Sequence, residues 1–105
     1  MKRIEKIIAP LASIEAQEKY IIGANKDNYY LPEELLEQAG TVLSIKNGST
    51  IETELKKAIE KFRFQEPYSA RELVYSHKSW LKIRELSIAL LKELNFNLSE
   101  WEKQL

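Results

Sequence analysis

The chain carries 105 residues, 16 of them cationic and 16 anionic, with one histidine and no cysteine. That length suits one domain with its own core, and zero net charge supplies no global field for nucleic acid or an anionic membrane. The lack of cysteine excludes a disulfide framework and a thiolate metal site, and no stretch approaches the ~20 apolar residues of a membrane span.

Fifteen of the 16 carboxylates are Glu, and the only aspartate is Asp27. Glu is a good helix former, whereas Asp competes with the helix backbone and favours caps. The composition therefore reads as a helical scaffold with a charged surface. The beginning, Met1-Lys2-Arg3-Ile4-Glu5-Lys6-Ile7-Ile8, is basic and then apolar, but Glu5 and Lys6 interrupt it. The apolar run from Ile7 to Ala12 is broken by Pro10 and falls short of the roughly 7–15 residues of a signal-peptide core. A cytoplasmic location is the expectation.

In chain order, Met1–Ala9 reads as either a short helix or an extended arm, since Pro10 disfavours helical geometry at Ala9. Pro10 suits the first turn of a helix through Leu11, Ile14, Tyr20, Ile21 and Ile22, and Gly23 sits where such a helix stops. Asn25-Lys26-Asp27-Asn28 is a polar loop leading into Tyr29-Tyr30-Leu31, with at least one of the two tyrosines expected inside. Pro32 opens the next helix, with Glu33 and Glu34 in its first turn where the macrodipole favours negative charge. Leu35, Leu36, Ala39, Val42 and Leu43 form its apolar stripe. If Gly40 ends it early, Thr41–Ile45 becomes a short β-like piece.

Asn47-Gly48 signals a turn, and Ser49-Thr50-Ile51-Glu52 fits a capping box. The helix it opens carries Ile51, Leu55, Ala58, Ile59 and Phe62 on one face. Glu66-Pro67-Tyr68 breaks it, and a second box, Ser69-Ala70-Arg71-Glu72, starts the longest periodic stretch, through Trp80 to Leu94. Ser76-His77-Lys78-Ser79 is a polar interruption able to split that stretch in two. A third box, Ser99-Glu100-Trp101-Glu102, covers a terminal helix with Trp101 as its docking residue. The expected architecture is all-α: residues 1–105 as one compact domain, a bundle of about five or six helices.

Acid–base, nucleophilic and metal chemistry draws mainly on His, Cys and Asp held together. His77 is the one conventional acid–base group, with Glu72, Ser76 and Ser79 as its sequence neighbours and no oriented second partner. A carboxylate metal site of the bundle type needs E-x-x-H, but the residue three before His77 is Val74. No phosphate-cradling, zinc or calcium motif is present. The reading is of a non-enzyme with no catalytic residue, metal or cofactor.

Charge distribution is more informative. Between Tyr20 and Leu55 two cationic residues face six anionic ones, a net −4, whereas Lys56–Arg84 holds eight cationic and three anionic, a net +5. The acidic half places tyrosines beside carboxylates at a loop–helix junction, which suits a protein interface complementary to a basic surface. Asp27, Tyr29, Tyr30, Glu33, Glu34 and Glu37 are the candidate partner-binding residues. The basic half, with Phe62 and Phe64 interleaved, supports an alternative: a small nucleic-acid-binding regulator using Lys56, Lys57, Lys61, Arg63 and Arg71.

The segment Tyr29-Tyr30-Leu31-Pro32-Glu33-Glu34-Leu35-Leu36-Glu37, in a small, neutral, helical chain, resembles the immunity proteins of bacterial contact-dependent growth inhibition systems. The resemblance covers about a tenth of the chain and transfers no residue-level motif. It implies a monomer that binds a cognate toxin domain, often a basic nuclease, one to one and blocks its active site. Membrane is not implied as a partner, and nucleic acid is disfavoured.

Overall fold

The computed structural model describes residues 4–43, 48–64 and 69–105. Its elements are α1 (Ile4–Ala12), α2 (Ile14–Gln17) running into a π-helical turn (Glu18–Ile22), α3 (Pro32–Val42), α4 (Thr50–Lys61), α5 (Ala70–Tyr75), α6 (Lys78–Glu93) and α7 (Leu98–Glu102). No strand occurs among the described residues, in agreement with an all-α chain. There are seven α-helical segments there rather than five or six.

Two breaks account for the larger number. The first lies at Ser13 rather than at Pro10, which α1 runs straight through. A proline inside a helix removes one hydrogen bond and costs about 3 kcal/mol. Ile7, Ile8 and Leu11 are all buried here, and each such side chain contributes roughly 1.5–3 kcal/mol, so burial wins. Ser13 then turns extended and caps α2, its Oγ accepting the Ala16 N–H at 3.0 Å. The same hydroxyl donates to Glu102 Oε2 at 2.5 Å, tying this joint to α7.

The second break is the polar interruption read from Ser76 to Ser79. His77 is the N-cap of α6, its Nδ1 accepting the Trp80 N–H at 3.4 Å. Ser49 and Ser69 cap α4 and α5 as their boxes predict, accepting from the N–H groups of Glu52 and Glu72. The third box is displaced by two residues: Asn97 caps α7, accepting the Glu100 N–H at 3.0 Å, and Ser99 lies within the helix. Asn is as good a cap as Ser, and Asn97-x-x-Glu100 offers the same spacing.

α3 continues through Gly40 to Val42, so no β-like piece begins at Thr41. Thr41 Oγ1 donates to the Glu37 carbonyl at 2.9 Å, a helical back-bond. Lys56 Nζ donates to the carbonyls of Gly40 and Leu43, at 2.9 and 3.1 Å, and satisfies the helix end. Ser44, Ile45, Lys46 and Asn47 lie outside the described residues, as does the Glu66-Pro67-Tyr68 breaker. Gly23 closes the π-helical turn, where a Cβ would stand 2.9 Å from the Lys19 carbonyl.

α6 lies at the centre, packing on α1 and α4, while α1 also packs on α3. Trp80, Ile83, Leu86, Leu90 and Leu91 face inward, against Ile8 and Leu11 from α1 and Leu55 from α4. Phe62 is buried beside Trp80, with ring centroids 5.9 Å apart, so it belongs to the core rather than to a base-stacking surface. Asn95 takes the left-handed conformation, φ 58°, that Asn tolerates at a helix end, and the Phe96 N–H donates back to the Leu91 carbonyl at 2.9 Å, closing α6 before α7.

A polar joint lies inside this apolar packing. The break at Ser13 leaves carbonyls at the end of α1 without helical partners. Gln17, fully buried, donates from Nε2 to Pro10 O (3.0 Å) and Leu11 O (2.8 Å). Its Oε1 accepts from Trp80 Nε1 (3.0 Å) and Arg84 Nη1 (2.9 Å). A side-chain amide has two donor hydrogens and two acceptor lone pairs, and here all four are engaged. Trp80 and Arg84, four residues apart on α6, thus meet at a buried amide. Burial lowers the Arg84 guanidinium below its ordinary pKa, and Glu18 and Tyr75 oppose that shift.

Candidate functional site

The acidic half of the chain supplies the exposed face of α3. Pro32 begins the helix with its φ already set, and Leu31 at the N-cap offers no side-chain bond. Carboxylates in the first turn therefore favour this helix end through the macrodipole. Leu35, Leu36 and Ala39 turn inward, while Glu33, Glu34 and Glu37 are exposed. Glu34 and Glu37 line a shallow groove of ≈ 350 Å³, with Ile7 from α1 and Gln38, Thr41 and Val42 from α3. Tyr29 and Leu31, just before the helix, are 54% and 43% exposed, large apolar surfaces beside a run of negative charge.

Asp27, Tyr29 and Tyr30 belong to a second, separate concavity of ≈ 380 Å³. The loop that presents them is braced. Asn25 Oδ1 accepts the N–H groups of Asp27 and Asn28, both at 3.0 Å, and Asn25 N–H donates to the Asn28 carbonyl at 3.1 Å. Tyr30 N–H donates to the Tyr20 carbonyl at 2.9 Å, joining the loop's exit to the π-helical turn. The two rings meet with centroids 4.9 Å apart. Tyr30 is half-buried and packs on the core, whereas Tyr29 faces solvent. Burial raises the Tyr30 phenol above its ordinary pKa, with Tyr20 adding to the shift.

The candidate residues thus fall on two neighbouring features, an acidic helix face and an aromatic concavity. Tyr20, Trp101 and Gln104 also line the concavity, although only Trp101 stands out in the sequence, and then as a docking residue. Tyr20 sits in an apolar stripe that hides its second role. No local signal places α7 beside a loop some seventy residues earlier in the chain.

The basic half is partly consumed by the fold. Lys56 closes α3, Arg63 Nη1 donates to the carbonyls of Glu60 and Phe62 at the end of α4, and Arg84 serves the Gln17 joint. Lys61, Arg63, His77, Lys78 and Ser79 line one open depression of ≈ 560 Å³. The His77 imidazole is occupied there as a helix cap and lies against the Phe62 ring, with centroids 4.9 Å apart. Tyr75 donates a hydrogen bond to Glu18, which holds its phenol above the ordinary pKa. Among the described residues no three His, Asp or Glu side chains are grouped to hold a metal ion, and no helix is long and apolar enough to cross a membrane. Comparison of the chain with protein-family models, with curated proteins and with solved structures finds no match.

Proposed function

We propose that this chain is a toxin-neutralising immunity protein that binds a cognate basic toxin domain, such as a nuclease, and blocks its active site. The observation that carries this reading is the pairing on one stretch of chain of exposed Tyr29 and Leu31 with exposed Glu33, Glu34 and Glu37. Aromatic and aliphatic anchors beside like-signed charge suit a protein interface: the anchors contribute affinity, and the charges steer a basic partner. A helical platform with a braced loop also lowers the ordering cost of binding.

The test is co-purification of the tagged protein from its native host, with the products of neighbouring reading frames co-expressed. The expected result is one stoichiometric basic protein that is toxic when expressed alone and harmless when co-expressed with this chain. Recovery of no such protein, or of one whose toxicity this chain leaves unchanged, overturns the reading.

The depression lined by Lys61, Arg63 and Lys78 favours a second reading, a small nucleic-acid-binding regulator. Phosphate contacts by such cations make binding fall steeply with salt. That reading expects retention on heparin near physiological ionic strength, and loss of retention when Lys61 and Lys78 are changed to Glu. Elution of the unaltered protein in the flow-through rejects it.

A further inference from the structure

The concavity between the Tyr29–Tyr30 loop and α7 has a chemistry of its own. Four aromatic residues from three separated parts of the chain, Tyr20, Tyr29, Tyr30 and Trp101, line it together with Asp27. Aromatic faces carry negative electrostatic potential and attract ammonium and guanidinium groups, most strongly where several rings surround one cation. A carboxylate at the same place favours a cationic guest and disfavours an anionic one. Tyr20 already shows this affinity within the fold, with Lys19 Nζ 5.5 Å from its ring centroid. The site is also preorganised, because the Asn25 side chain and the Tyr30-to-Tyr20 backbone bond hold the loop before any guest arrives. Its volume, ≈ 380 Å³, lies at the small end of the range for ligand sites and has room for the end of one long side chain.

We propose that this concavity is an aromatic cage that takes the guanidinium or ammonium group of an Arg or Lys side chain projecting from the basic partner. The identity of the guest's source rests on the immunity reading; the preference for a cation rests only on the lining residues. In the complex, the cage would fix one basic side chain of the toxin domain beside the segment that leads into α3, adding register to an attraction that charge alone leaves diffuse.

The experiment uses the full chain labelled with ¹⁵N and follows its two tryptophan indole N–H signals. Trp80 is buried on Gln17 and serves as an internal control for folding, whereas Trp101 lines the cage. The probes are a blocked Gly-Arg-Gly peptide, the same peptide with neutral citrulline in place of arginine, and choline as a free cation. The arginine peptide is expected to shift the Trp101 indole and the Tyr29 and Tyr30 amides while leaving the Trp80 indole in place, and the citrulline peptide to bind at least tenfold more weakly. Asp27→Asn and Tyr29→Ala should each weaken the arginine peptide about two- to fivefold, the size of an ion pair or cation–π contact at an exposed site, with the Trp80 signal unchanged. Equal binding of the arginine and citrulline peptides, or no Trp101 shift with either, overturns the cage. Binding of choline in preference to the peptide overturns the assignment to a partner's side chain. None of these readouts involves a toxin, so failure here leaves the co-purification result standing, and failure there leaves the cation preference measurable.

Discussion

Replacing Gln17 by Leu is expected to lower the free energy of unfolding by about 3–5 kcal/mol, because Leu keeps the volume but none of the four hydrogen bonds. Two backbone carbonyls, the Trp80 indole N–H and one Arg84 contact lose their partner at a fully buried position. Each abandoned buried group costs about 1–3 kcal/mol, but the losses are coupled and do not add. Arg84 also retains its 2.8 Å bond to the Val74 carbonyl, which tempers the total. For a domain of this size 1 kcal/mol is about 4 °C in melting temperature, so a fall of roughly 15 °C is expected. Gln17→Glu separates the two halves of the joint. A carboxylate still accepts from Trp80 and Arg84 but has no hydrogen to donate to Pro10 and Leu11. At neutral pH its second oxygen would face those two carbonyl oxygens at a fully buried position. The variant should therefore lose at least the roughly 2–3 kcal/mol of two unpaired carbonyls and regain part of it at lower pH, where a protonated carboxyl can donate again. Urea unfolding followed by circular dichroism measures both variants; a loss under 1 kcal/mol for Gln17→Leu would show that the joint between α1 and α2 is held by apolar packing alone.

The second large effect concerns rates. Changing Glu33, Glu34 and Glu37 together to Lys moves the charge of one exposed helix face by +6, from three anionic to three cationic side chains. Electrostatic steering accelerates association by about 10 to 1,000-fold at low salt. The triple variant should therefore associate with a basic partner roughly 10 to 100-fold more slowly, with a smaller change in dissociation. The deficit should shrink as salt rises and the screening length falls to about 8 Å. Lys in a first turn opposes the macrodipole at about 0.3–1 kcal/mol per residue, so helicity is checked alongside. Stopped-flow association at two ionic strengths decides the matter. Unchanged on-rates in a folded variant would remove α3 from the interface.

The Gln17 joint also shows where reading the chain in order stops. By residue type Gln17 is an unremarked polar position between two apolar stretches, and nothing local announces that four groups from α1 and α6 converge on it. Pro10 misleads in the same place. It marks a helix start in isolation, yet α1 crosses it because Ile7, Ile8 and Leu11 are buried against neighbours that are distant in sequence. The capping boxes at Ser49 and Ser69 and the stop at Gly23 are legible, since they depend on contacts within about one helical turn. Charge and aromatic placement along the chain single out the six candidate partner-binding residues. The fold distributes them over two features and brings Tyr20 and Trp101 to one of them.

The sequence alone determined the helical class, the apolar faces of α3, α4 and α6, and the acidic and basic halves of the chain, because periodicity, capping and charge are written in neighbouring residues. Only the tertiary structure decided that Lys56, Arg63 and Arg84 are bound to carbonyl or amide oxygens, that His77 is a cap, and that Trp101 faces the Tyr29–Tyr30 loop. Those outcomes depend on which helix ends and side chains become neighbours once the core closes, and that is a property of packing rather than of local order along the chain.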